Sequence, residues 1–356
     1  MHFASDNRAG VHPKISTSLV NHAHGHATSY GGSDLDKKVV QKFSELFERE
    51  VSVFYCSTGT AANALAFSAY NRPGAVGFCH REAHIREDEC GAPEFFASGA
   101  RLRIVDGPNG KMLPENLDTQ IKSVKSFGVS GGVPAFVSIT QGTEAGTVHT
   151  LAELDALTEI AKNHQLPVHM DGARFANAVQ AIGCTPAEMT WKRGIDALSF
   201  GATKNGCWCA EALIFFQQHD AAHMAYIHKR AAQVMSKTRF VSAQFDAYLK
   251  DELWLELAAH ANSAAQGLEA IIAKSNHARL AWRREINEVF AVITKLKARD
   301  LKNKGAEFYE WPSPYADKNI VGPNETIIRL VTDFSTTQAD IDNFAAALNT
   351  QMLTEL

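Results

Sequence analysis

An apolar run ending in an aspartate is followed, about one strand–helix–strand unit later, by an apolar run leading to a lysine. The first reads Leu166-Pro167-Val168-His169-Met170-Asp171-Gly172, and the second Ile195-Asp196-Ala197-Leu198-Ser199-Phe200-Gly201-Ala202-Thr203-Lys204. In an open α/β sheet, ligands bind beyond the carboxyl ends of the strands, so both side chains are delivered to one crevice. An amine and a carboxylate meeting there suit pyridoxal phosphate. The amine holds the cofactor covalently, and the carboxylate keeps its pyridine nitrogen protonated so that the ring accepts electrons. Taken singly, Asp171 reads as a helix cap and Lys204 as a solvated surface lysine. Their pairing carries the chemistry.

The elements that must position this pair are legible around it. Apolar runs fall at 51–56, 74–79, 100–105, 133–140, 166–170, 195–200 and 211–216, with helical stretches between several of them. Continuously apolar strands alternating with amphipathic helices indicate a sheet buried on both faces. Thr150 and Glu153 form a capping box ahead of Leu151, Leu154, Leu157 and Ile160. Ser33 and Asp34 cap a helix carrying Leu35, Val39, Phe43 and Leu46 on one face. After about residue 217 the pattern changes to long helices over 218–236 and 241–275. Strands at Val289–Ile293, Glu307–Trp311 and Thr326–Thr332, a helix over 294–303 and a last helix from Thr337 follow. The expected organisation is an N-terminal arm at 1–33, a large α/β domain at 34–245 and a smaller α+β domain at 246–356.

Composition narrows the class. With 356 residues, 45% hydrophobic and 21% charged, the chain has the make-up of a globular protein with ample core. A net charge of −4 argues against a general nucleic-acid binder. No apolar run approaches a membrane span and none opens the chain as a signal peptide would. Six scattered cysteines fit free thiols in a reducing compartment, so the expected location is the cytoplasm.

Ser57-Thr58-Gly59-Thr60-Ala61-Ala62-Asn63 leaves one apolar run and enters a helix, whose unpaired N–H groups suit a phosphate. Gly59 permits close approach and Thr60 offers a hydroxyl; the plainer reading is a helix cap. Arg174, one turn beyond Asp171, either faces the crevice or closes a salt bridge. Cys79-His80-Arg81-Glu82-Ala83-His84 matches no metal motif, and His22, His24 and His26 read as surface histidines, so no metal is expected. Cys207 and Cys209 read as inert thiols.

Several segments together resemble the low-specificity L-threonine aldolases, within them the phenylserine aldolase-like branch. They are the FASDN start, HGHATSYGG, STGTAANALA, REAHIREDECGAPEFF, HMDGARFANA, GIDALSFGATKNG and SKTRFVSAQ. The likeness runs along nearly the whole chain and is loose over its last hundred residues. It implies the aspartate aminotransferase-like fold (fold type I), with a mostly parallel seven-stranded sheet and a smaller C-terminal domain, working as a homodimer or homotetramer. Lys204 then resembles the cofactor-bonding lysine, Asp171 the pyridinium partner and His84 the ring-stacking histidine, with Gly59 and Thr60 on the phosphate. Arg239 is similar to an arginine that reaches the phosphate from a neighbouring subunit. Ser5, Arg174 and Arg329 resemble the holders of the substrate carboxylate, and Tyr30 a residue at the pocket mouth. Glu144 stands where many such aldolases carry a histidine. The implied reaction is retro-aldol cleavage of L-threonine, L-allo-threonine or phenylserine to glycine and an aldehyde, with His84 or Glu144 as base. β-Elimination, transamination and transfer of a glycine-derived carbanion are the alternatives on the same fold, and a non-catalytic binding protein is a further one.

Overall fold

The computed structural model describes residues 1–350 apart from Ala316, so the last six residues expected in the small domain lie outside the described chain. The larger sheet comprises β1 (Ser52–Cys56), β2 (Ala75–His80), β3 (Arg101–Val105), β4 (Val133–Thr140), β5 (Val168–Gly172), β6 (Ala197–Gly201) and β7 (Glu211–Phe215). Their order is β1-β7-β6-β5-β4-β2-β3. β7 runs antiparallel to both β1 and β6, while the remaining neighbours pair in parallel. Each of the seven apolar runs falls on one of these strands. β2, β5, β6 and β7 are buried at every position. The two edge strands, β1 and β3, are the ones with partly exposed residues along most of their length, as sheet position dictates.

Helices connect the parallel strands. The one at Leu151–Asn163 begins with the capping box read from the sequence. Thr150 Oγ1 accepts from the Glu153 N–H at 3.2 Å, and the Glu153 carboxylate accepts from the Thr150 N–H at 2.7 Å. A second capping box, between Ser33 and Asp36, starts the helix at Asp34–Leu46.

The smaller sheet is antiparallel throughout, in the order β10-β11-β9-β8, with β8 at Ala278–Leu280, β9 at Glu288–Thr294, β10 at Tyr309–Trp311 and β11 at Glu325–Val331. Its core joins Val289, Ala291, Leu301, Ile328, Leu330 and Phe344 to Phe3 from the start of the chain. The Phe3 N–H donates to the Glu307 carbonyl at 2.9 Å, and the Phe3 carbonyl accepts from the Val331 N–H at 2.8 Å. The first residues are therefore packed into the small layer.

Two helical stretches differ from the sequence expectation. The one expected over 218–236 is helical only at Met224–Arg230. The one expected over 241–275 is two helices, Arg239–Tyr248 and Leu253–Lys274, parted where Asp251 and Glu252 take left-handed φ values of 52° and 55°. Apolar periodicity resumes on both sides of this polar break, which is why the pattern reads as continuous. β8, three residues long, carries no periodic signal at all. Trp254, Leu257 and Ala258 of the longer helix pack into the large core, whereas Ala264, Ala265, Leu268 and Ile272 pack into the small one. That helix ties the two layers together.

Trp254 stacks near Phe175 at 6.5 Å between ring centroids and lies 6.0 Å from Phe200. Trp254→Ala is expected to destabilise the fold by roughly 3–5 kcal/mol in urea denaturation. A loss below about 1 kcal/mol would contradict its role as the junction of the core.

Candidate active site

Asp171 is the penultimate residue of β5, and Lys204 lies in the short 3₁₀ turn Thr203–Asn205 just past β6. Because β5 and β6 are parallel neighbours, both side chains emerge at the same edge. The strand ends come unusually close. A Cβ on Gly201 would stand 2.9 Å from the Ala173 Cα, and one on Gly172 would stand 2.7 Å from the Ser199 carbonyl oxygen, so only glycine fits either position. Asn205 pins the lysine-bearing turn by donating from Nδ2 to the Tyr248 hydroxyl and the Trp254 carbonyl, both at 2.8 Å.

These residues open on a cavity of about 320 Å³, lined by Asp171, Lys204, His84, Gly59, Thr60, Glu144 and Arg174 among others. Seven of the residues singled out from sequence thus meet in one place. Asp171 is buried; its Oδ2 accepts from Asn63 Nδ2 at 2.9 Å and its Oδ1 from the Ala173 N–H at 3.1 Å. Asn63 Nδ2 also donates to Glu89 Oε1 at 2.8 Å, and the same oxygen lies 2.9 Å from His84 Nδ1. A continuous polar chain, Asp171–Asn63–Glu89–His84, results. The hydrogen bond to Glu89 holds the His84 imidazole above its ordinary pKa, against the opposing effect of burial. Burial pushes the Glu89 carboxyl upward.

Glu144 Oε1 accepts from the His84 backbone N–H at 2.7 Å, whereas its Oε2 is buried without a hydrogen-bond partner among the described residues. Burial first, and then the nearby Asp171 charge, raise its pKa to about 7. Burial also raises Glu211 to about 7; its Oε1 accepts from the Thr203 N–H at 3.3 Å. A Cβ on Gly59 would lie 3.9 Å from Glu211 Oε2. The helix at Gly59–Ala69 points its N-terminus into this end of the cavity, capped by Thr58 Oγ1 accepting from the Ala61 N–H at 3.0 Å. That cap leaves the first N–H groups, Gly59 and Thr60, for a ligand.

Arg174 is buried and engaged. Its Nε and Nη2 donate to the two Asp6 carboxylate oxygens at 2.8 and 3.1 Å, and Nη2 lies 3.3 Å from Glu288 Oε1. Arg329 reaches the same Glu288 oxygen at 3.7 Å and lies over the Trp311 ring at 4.3 Å. Burial raises the Glu288 carboxyl, which is wholly enclosed. Ser5 and Arg329 stand next to this cluster, outside the cavity lining, to which Asn7 belongs; Ser5 Oγ accepts from the Asn7 N–H at 3.2 Å. Tyr30 and Arg239 are brought to the same cavity by nothing in this chain. Tyr30 is 62% exposed, and Arg239 Nη1 donates to the Gly25 carbonyl at 3.0 Å.

Asp6, Asn63, Glu89, Glu211 and Glu288 are site residues that sequence reasoning passed over. Asp6, Asn63 and Glu89 sit inside motifs quoted above, Glu89 five residues past His84, and Glu211 and Glu288 each open a mainly apolar strand. A lone acid at such a position is the signal that could have found them. Among the described residues no cluster of metal-ligating side chains forms; His80 Nε2 is spent on the Gly107 carbonyl at 3.0 Å. Cys207 is buried, and burial pushes its thiol up.

The cavity fits pyridoxal phosphate by its donors and acceptors. It offers an amine at Lys204, a buried, oriented carboxylate at Asp171, and helix N–H groups for a phosphate. The β-eliminating lyase family matches residues 2–296. A low-specificity L-threonine aldolase of Pseudomonas sp. is 41% identical over 307 residues, which cover 86% of this chain and 88% of that one. One from Pseudomonas aeruginosa is 38% identical over the same shares. The solved structure of a threonine aldolase from Leishmania major superposes with a TM-score of 0.90 at 28% identity, covering 98% of each chain. The structure of mouse CSAD, at TM-score 0.73 and 16% identity, shares the fold.

Replacing Glu89 by Gln is expected to lower the titration midpoint of the His84 imidazole, read by NMR of the ring protons. An unmoved midpoint would show that Glu89 does not hold the histidine's charge.

Proposed function

The chain belongs to the low-specificity L-threonine aldolases, pyridoxal-phosphate-dependent lyases of the β-eliminating lyase family, and on that premise we propose that it cleaves L-β-hydroxy-α-amino acids to glycine and an aldehyde, with L-threonine, L-allo-threonine and phenylserine as substrates. The observation that carries this reading is the meeting of Lys204, the Asp171–Asn63–Glu89–His84 chain and the unpartnered Glu144 Oε2 around one cavity.

Lys204 is assigned the covalent hold on the cofactor. Asp171, oriented by Asn63 and the Ala173 N–H, would keep the pyridine nitrogen protonated. The N–H groups of Gly59 and Thr60, with the Thr60 hydroxyl, would receive the phosphate, and His84 would pack on the ring. When bound, pyridoxal phosphate supplies the sink for the electron pair released as the substrate's Cα–Cβ bond breaks. Glu144 takes the proton of the β-hydroxyl on Oε2, and a proton delivered to Cα completes glycine; a pKa of about 7 suits a base that must give its proton up again. Its Oε1 is held by the His84 N–H, so the free oxygen has a fixed direction. Arg174, which lines the cavity, is assigned the substrate carboxylate, with Arg329 and Ser5 supporting from beside the lining. A planar guanidinium suits that task, and Arg329 Nε is buried without a partner among the described residues.

Tyr30 and Arg239 are assigned to the site of a second copy of the chain, in a homodimer or homotetramer; Tyr30 is exposed, Arg239 half-buried, and neither lines its own cavity, which supports this. The location proposed is the cytoplasm. No helix among the described residues is long and apolar enough to cross a membrane.

Lys204→Ala is expected to abolish both the visible absorption of the lysine-linked cofactor and turnover. A purified variant that keeps both would refute the assignment. Because Glu144 must be ionised to accept a proton, kcat/KM should fall as pH drops through about 7. Glu144→Gln should remove that limb and lower kcat by about a hundred- to ten-thousand-fold. Glu211, which titrates in the same range, should leave the limb in place when changed to Gln. An unchanged kcat in Glu144→Gln would reduce Glu144 to a brace for the His84 loop.

A further inference from the structure

The end of the cavity assigned to the cofactor phosphate holds an acid as well as N–H donors. Glu211 lines the cavity and is buried, and its Oε2 is the atom that a Cβ on Gly59 would meet, at 3.9 Å. On the cofactor assignment made above, on which this inference rests, we propose that Glu211 holds the phosphate as a neutral carboxylic acid. Its Oε2–H donates to a phosphate oxygen, and one proton is taken from solvent onto Oε2 as the cofactor binds.

The sheet fixes where this carboxyl can go. Glu211 opens β7, which runs between β1 and β6, and it pairs with Cys56 on one side and Gly201 on the other. β1 leads from Cys56 through Ser57 and Thr58 into the helix at Gly59–Ala69, and β6 leads from Gly201 to Lys204. The side chain is thus set between the phosphate end and the lysine turn. Its Oε1 accepts from the Thr203 N–H at 3.3 Å, and Oε2 is the oxygen nearer Gly59.

Charge decides the protonation state. A phosphate monoester carries about −1.5 to −2 charges near neutral pH, and an ionised carboxylate beside it would repel it. The cations that line the cavity are engaged elsewhere. Lys204 is assigned the covalent hold, Arg174 forks onto Asp6, and His84 Nδ1 lies 2.9 Å from Glu89. Arg239 of a second copy would bring a single positive charge. The titratable groups that face Glu211 are Lys204, Asp171, Cys56, Cys207, Cys209 and Tyr248, and Lys204 is the one cation among them. Burial already raises the Glu211 carboxyl to about 7, against the opposing effects of Thr203 and Lys204, and an arriving phosphate raises it further. A carboxylic acid kept neutral by an enclosed site can donate a hydrogen bond. Below about pH 7 Glu211 is already protonated, and cofactor affinity does not change with this group. Above it, each cofactor bound must bring a proton, so affinity falls as pH rises.

The test uses the cofactor-loaded protein and its Glu211→Gln and Glu211→Ala variants. The Kd of pyridoxal phosphate is read from the visible absorption of the bound cofactor on dilution, from about pH 6 to about pH 9. Dividing the wild-type Kd by that of Glu211→Gln, whose amide donates at every pH, removes the titrations of Lys204 and of the phosphate that both proteins share. This ratio is expected to stay level up to about pH 7 and then to rise by up to about tenfold per pH unit. Glu211→Ala should bind the cofactor at least tenfold more weakly than the other two at about pH 6. In the infrared, the wild type at about pH 8 should show a protonated-carboxyl band that Glu211→Gln lacks. A level ratio across the range, the absence of that band, or a Glu211→Ala variant that binds as tightly as the wild type overturns the assignment of Glu211. The aldolase reading then stands or falls separately, on release of acetaldehyde from L-threonine by the same wild-type sample. A wild type that takes up no pyridoxal phosphate overturns both.

Discussion

Two parallel strands side by side must end on the same edge of their sheet, and the site depends on that constraint at β5 and β6. Their register sets Asp171 opposite Ser199 and Gly172 opposite Phe200, leaving the chain only the short turn after Gly201 before Lys204. The acid and the amine therefore share one edge without help from any flexible loop. Gly172 and Gly201 let the two strand ends close on each other. Phe200, one residue before Gly201, sits among Phe43, Phe175, Tyr248 and Trp254 in the large core. Tyr248 and the Trp254 carbonyl then return to hold Asn205. Packing and positioning are thus the same set of contacts.

Around this fixed pair the protein gathers an unusual number of buried acids. Asp6 and Glu288 face Arg174 and Arg329; Glu89 faces His84 and Asn63; Glu144 accepts from the His84 N–H and Glu211 from Thr203. Burying a carboxylate is costly, and burial raises Glu89, Glu144, Glu211 and Glu288. Asp6 shows the contrast. Burial opposes its ionisation, but the Arg174 and Lys204 charges outweigh it and hold the carboxyl below its usual range. Asp6 takes a bidentate fork from Arg174, whereas Glu288, with two guanidiniums at 3.3 and 3.7 Å, is still raised by its burial. Glu144, whose Oε2 has no hydrogen-bond partner among the described residues, lines the cofactor cavity.

The parallel sheet was legible because strands buried on both faces are continuously apolar, and Asp171 and Lys204 because each terminates such a run. Helix starts at Asp34 and Leu151 were legible from their capping residues. What escaped did so for identifiable reasons. The break at Asp251 and Glu252 interrupts the backbone without interrupting the apolar period, and β8 is too short to have a period. Glu89 and Asn63 gain their meaning only when Asp171 and His84, distant in sequence, are brought to them. Arg239 and Tyr30 read as site residues through likeness alone, and one copy of the chain leaves both outside its own cavity.

The central claim is that Lys204, Asp171 and Glu144 act together to break the Cα–Cβ bond of a β-hydroxy-α-amino acid. The most direct measurement is the product balance when the cofactor-loaded protein is given L-threonine, with glycine, acetaldehyde, ammonia and keto acid all quantified in one sample. Equal amounts of glycine and acetaldehyde, with neither ammonia nor keto acid, are the predicted result. Ammonia and a keto acid without glycine would contradict it, leaving the fold and the cofactor site to serve an elimination instead.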